Sequence, residues 1–125
     1  MSVLEQDFLK SLLLALNRRS DVRAWRQNTG SVQVYARGRV VGVFHAGPPT
    51  GAADISGIVA PWGIRLEIET KGAKTEDRAA QEAWGLMIQK LGGLYLKVRY
   101  NEALTMDENI QQTLDTLNAA LTSRS

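Results

Sequence analysis

Apolar and polar residues alternate along Ile64 to Lys71. Ile64, Leu66, Ile68 and Thr70 fall on one side, and Arg65, Glu67, Glu69 and Lys71 on the other. This period of two predicts a strand. A second run, Asp54 to Ala60, rich in Ile and Val, precedes it, and Pro61-Trp62-Gly63 between them is a turn signal. Val22 to Gly30 reads as a further strand, with Trp25 expected in the core and Arg26 and Asn28 on the opposite face. Val32 to Phe44 reads as a hairpin with Arg37-Gly38-Arg39 at its basic tip. Leu94 to Arg99 alternates as a last strand.

Helical periodicity occupies three other stretches. From Ser2 to Asn17, residues Leu4, Phe8, Leu9, Leu12, Leu13 and Leu16 make one apolar face. Ser2 and Glu5 fit a capping box there, yet Glu5 also lies within the apolar face. Two roles stay open for it: completing the cap, or reaching into a site at the helix start. Thr75 can cap a helix running to about Leu91, with a core stripe of Ala80, Trp84, Met87, Ile88 and Leu91 and with Gln81 at its edge. Gly92-Gly93 ends it. Thr105 and Glu108 open a last helix, to about Leu121. The order is helix, strand, hairpin, strand, strand, helix, strand, helix. It predicts an α/β fold with a mixed sheet flanked by helices, and a parallel right-handed crossover from Ile64 to Arg99.

Composition narrows the chemistry. The 125 residues suit one domain, with 44% hydrophobic and 22% charged residues as in ordinary globular chains. The core is expected over about 3–100 and a C-terminal helix over about 106–121. Cysteine is absent, which excludes a disulfide framework, a thiolate zinc site and a cysteine nucleophile. The single histidine, His45, excludes a multi-histidine metal site and HNH-type nuclease chemistry. A net charge of +2 permits nucleic-acid binding without arguing for it. The apolar run Leu12 to Leu16 is too short for a membrane span, so a cytoplasmic protein is expected. The loop His45 to Ala53 lacks a P-loop lysine and leads directly into Asp54.

Asp54 at the start of one strand and Glu69 and Lys71 at the end of its neighbour can gather at one end of a sheet. Two carboxylates suit a hard divalent cation, and an amine beside them suits a water and a phosphate. An alternating charged face is also what a solvated strand shows, and Glu67 is expected to be solvated surface.

The motifs extend beyond those residues. Trp25-Arg26-Gln27-Asn28-Thr29-Gly30, Gly51 to Gly57, and Glu67 to Gly72 follow one another, then Lys74-Thr75, Gln81, Trp84 and Gly92-Gly93. Together they resemble the PD-(D/E)xK nuclease pattern, and in particular the VRR-NUC family in its small stand-alone phage and bacterial members. The resemblance covers roughly Leu4 to Tyr100. It implies a restriction-endonuclease-like fold and Mg²⁺- or Mn²⁺-dependent cleavage of DNA. It also implies kinship with Holliday-junction resolvases, and hence a homodimer acting on branched DNA. Carried onto this chain, it makes Asp54, Glu69 and the main-chain carbonyl of Thr70 metal ligands. Lys71 would activate the water, Gln81 would stand at the rim of the site, and Glu5 matches the family's acidic residue on the first helix. Arg26, Asn28, Arg37, Arg39 and Lys74 are candidate DNA contacts. Ala53 replaces the proline that usually precedes the aspartate. The competing reading is a non-catalytic or partner-dependent nucleic-acid-binding module with the same fold.

Overall fold

A computed structural model describes residues 2–27, 30–46, 51–72 and 78–124. The elements in chain order are α1 (Val3–Arg18), β1 (Val22–Arg26), β2 (Gly30–Ala36), β3 (Arg39–Ala46), β4 (Ile55–Val59), β5 (Ile64–Lys71), α2 (Ala79–Lys90), β6 (Leu94–Arg99) and α3 (Met106–Ser123). This is the predicted order. Strands β1, β4, β5 and β6 form a mixed sheet in that order, antiparallel except for the parallel pair β5 and β6. Among the described residues, β2 and β3 pair only with each other, so the hairpin stands apart from the main sheet. Its turn is Arg37-Gly38, both with positive φ (53° and 77°), the geometry that matches a right-handed strand twist.

Alternation along the strands decides the layers. Helices α1 and α3 cover the face carrying Val22, Ala24, Ile55, Val59, Leu66, Ile68, Leu94 and Leu96. Phe8, Leu9, Leu12 and Leu16 of α1 and Leu117 of α3 fill this core, and Phe8 meets Tyr100 edge-on at 5.4 Å. Removing such side chains from water stabilises the fold by about 1.5–3 kcal/mol each. Asn17 fastens the end of α1 to β1: its amide donates to the Ala24 carbonyl at 2.9 Å, and the Ala24 N–H donates back to Asn17 Oδ1 at 2.9 Å. Ser2 caps α1 by accepting from the Glu5 N–H, and Thr105 with Glu108 forms the full capping box of α3.

Helix α2 packs on β5 and β6 from the other side. It begins at Ala79, after an extended Arg78 (φ −112°, ψ 143°) that makes no side-chain cap, and not at the expected Thr75. Thr75 itself lies outside the described residues. The expected core stripe of α2 is also corrected: Ala80 and Leu91 are exposed, whereas Ile88 and Gly85 are buried. Gly85 sits so close to the sheet that a Cβ there would lie 2.5 Å from the Tyr95 ring. A small residue, invisible to a stripe of large ones, sets the helix-to-sheet distance.

Candidate active site

The polar face of β5 is buried, because α2 lies over it. Glu67 is 0%, Glu69 3% and Lys71 2% exposed. Glu67 is therefore not the solvated residue expected from its place on an alternating strand. Its Oε1 accepts from the indole Nε1 of Trp84 on α2 at 2.9 Å. Its Oε2 accepts from the Ser56 hydroxyl and lies 3.5 Å from Arg65 Nε. Ser56 in turn accepts from the Gln27 side-chain amide and, at 3.2 Å, from Arg65 Nη2. A fully buried carboxylate is tolerated when both oxygens are bonded, as they are here.

One step further along β5 the arrangement changes. Asp54, just before β4, is half-buried, and its Oδ2 accepts from both the N–H and the hydroxyl of Thr70 at 2.9 Å. Those bonds fix Asp54 beside the end of β5. Glu69 Oε1 accepts from the Gln81 amide at 2.9 Å, and the Lys71 ammonium donates to Gln81 Oε1. Glu69 Oε2 is buried and accepts no hydrogen bond. Burial and, next, the Asp54 charge push the Glu69 carboxyl up to about 8 from an ordinary 4.5, against the opposing pull of Lys71. Gln81 is thus a bridge, its two ends committed to Lys71 and Glu69. The backbone of α2 is held there by Tyr95, whose hydroxyl donates to the Gln81 carbonyl at 3.4 Å. Gly51 (φ 97°) closes the other side: a Cβ would come within 2.5 Å of the Ala80 carbonyl oxygen, so only glycine lets the approach to Asp54 pass against α2.

The sequence-predicted residues Asp54, Glu69, Thr70, Lys71 and Gln81 therefore meet in one place. Glu5 sits half-buried in the first turn of α1, whose apolar stripe packs on the opposite face of the sheet, and among the described residues no three of Asp, Glu and His come together as a cation site. Arg26 is exposed on β1, and Arg37 and Arg39 are exposed at the hairpin tip; Asn28 and Lys74 lie outside the described residues. Trp25, expected in the core, is 40% exposed. It shares the polar face with Ser56 and Glu67, and the core-facing residues of β1 are its neighbours Val22 and Ala24. On β6, Lys97 stands opposite Glu69 and Arg99 opposite Lys71, both exposed. Sequence reasoning gave no role of their own to Ser56, Gln27 and Tyr95, which bear no charge. No protein-family model matches the chain, and no curated protein is similar to it in sequence.

Proposed function

We propose that the chain is a metal-dependent endonuclease that hydrolyses DNA phosphodiester bonds, selective for branched DNA. The observation that supports it is the buried Glu69 oxygen without a hydrogen-bond donor, beside a second carboxylate, Asp54. A buried carboxylate oxygen facing another carboxylate is costly unless a cation takes it, and Mg²⁺ or Mn²⁺ suits oxygen ligands. Asp54 and Glu69 would hold the ion, with the Thr70 main-chain carbonyl as a third ligand. The ion would supply charge neutralisation at the phosphate and a water of lowered pKa. Thr70 orients Asp54 through two hydrogen bonds. Lys71, held by Gln81, keeps an ammonium within reach of the attacking water and of negative charge building on the phosphate. The exposed cations Arg23, Arg26, Arg65, Lys97 and Arg99 give this sheet and its edges a local positive character despite the small net charge. No helix among the described residues is long and apolar enough to cross a membrane, and the proposed site of action is the cytoplasm.

The test is cleavage of a labelled four-way junction beside linear duplex, with Mg²⁺, Mn²⁺ or EDTA. Metal-dependent paired cuts in the junction are expected. Asp54→Asn, Glu69→Gln and Lys71→Ala each abolish cutting while leaving the fold intact. Full activity in any of the three removes the site from this reading. No cutting by the wild type, with junction binding retained, replaces the nuclease by a binding module or a partner-dependent subunit.

A further inference from the structure

We infer that the exposed indole of Trp25, with the Arg65 guanidinium set over it, is a stacking platform for an unpaired nucleobase of the DNA strand. The identity of the ligand as DNA rests on the endonuclease reading; the platform itself rests on separate residues.

Trp25 lies inside β1, which pairs with β4 along its whole length, yet the side chain is 40% exposed. An indole exposed to that extent on a paired strand still presents a large apolar area to water. Its face is the one that carries the carboxylates, since Trp25 stands opposite Ser56, and Ser56 opposite Glu67. With strands about 4.8 Å apart and a rise of about 3.3 Å per residue, the Trp25 Cα lies about 12 Å from that of Glu69. That is roughly three or four stacked base steps. A base on Trp25 and a phosphate at Glu69 therefore fit on one short stretch of a single strand.

Arg65 completes the platform. Its guanidinium carbon is 5.9 Å from the Trp25 ring centroid. Nη2 donates to Ser56 Oγ at 3.2 Å, and Nε is 3.5 Å from Glu67 Oε2. The cation is therefore held in place before any ligand arrives, which lowers the ordering cost of binding. Arg23, two residues earlier on the same face, is exposed and suits a flanking phosphate. Every base offers a π-face, so such a surface reads no sequence. Within continuous duplex each base is already stacked on both neighbours. The platform therefore favours DNA with unpaired nucleotides beside the cut.

The experiment measures binding in EDTA, so that nothing is cut, by anisotropy of a labelled single-stranded oligonucleotide and of a blunt duplex of equal length. Trp25→Ala is expected to weaken single-strand binding about tenfold and duplex binding less than about twofold, while Trp25→Phe keeps most of the affinity. With unaltered protein, an abasic version of the oligonucleotide shows the same loss, which separates stacking from any damage to the fold. Trp25→Ala binding the single strand as tightly as wild type overturns the proposal. So does an equal loss on both DNAs, an abasic strand bound as well as a normal one, or no binding of single strands by the wild type. A chain that binds through Trp25 yet cuts nothing refutes the nuclease and keeps the platform; one that cuts DNA with binding indifferent to Trp25 does the reverse.

Discussion

Glu69 is the residue whose charge the surroundings alter most. Its carboxyl is raised from 4.5 to about 8, first by burial and then by Asp54. Below pH 4.5 both folded and unfolded chains hold the proton, and this contribution to stability is fully present. As pH rises toward 8 the unfolded chain ionises freely while the folded chain resists, so stability is lost across that window. The expected loss in metal-free protein is on the order of 3–5 kcal/mol, and Glu69→Gln flattens it. Denaturant midpoints at a series of pH values measure both. Mg²⁺ or Mn²⁺ should raise the melting temperature more at the alkaline end, where no proton competes, and Asp54→Asn should lose the rise. The pair Asp54 and Glu69 was legible in the sequence because strand alternation fixes which residues share a face. Glu67 shares that face too, and its burial was not legible: it depends on how far α2 reaches along β5, which no local pattern encodes.

Helix α2 carries the site from the side opposite the main core. Three contacts align it: Trp84 on Glu67, Tyr95 on the Gln81 carbonyl, and the close approach of Gly85 to Tyr95. Trp84→Phe removes the donor to Glu67 Oε1 and leaves a buried carboxylate oxygen short of a bond, at a cost of about 1–3 kcal/mol. Gly85→Ala drives a methyl group toward the Tyr95 ring and costs a similar amount, about 1–3 kcal/mol, by overpacking. Thermal melts should show both losses, and turnover of the remaining folded protein should fall as Gln81 shifts from Lys71. Leu86→Ala on the exposed side of the helix, 68% exposed, should change neither. The strands, the hairpin turn and two capped helices followed from period, turn residues and caps. The start of α2 did not, because Thr75 with Glu76 and Asp77 resembles a helix entrance, whereas Arg78 is still extended. Trp25 misled for another reason: hydrophobicity suggests burial, but its parity on β1 places it across the sheet from the core-facing Val22 and Ala24.

The described structure carries one assembled pair of carboxylates, so paired incisions across a junction require two chains related by symmetry. Light scattering on the eluting protein is expected to report a dimer; a strict monomer removes the resolvase version and leaves single-strand incision. The main sheet bears on how such a chain changes over evolutionary time. Strands β1 and β4 are direct neighbours, and where they part, the Gln27 N–H donates to the Asp54 carbonyl at 2.9 Å. The chain thus leaves the sheet and rejoins it at adjacent points, with the hairpin β2–β3 as a detour between them. Lengthening such a detour adds closure entropy only slowly and shifts no strand register. The hairpin is therefore expected to tolerate changes in length, charge and tip while the Asp54–Thr70 clasp stays where it is.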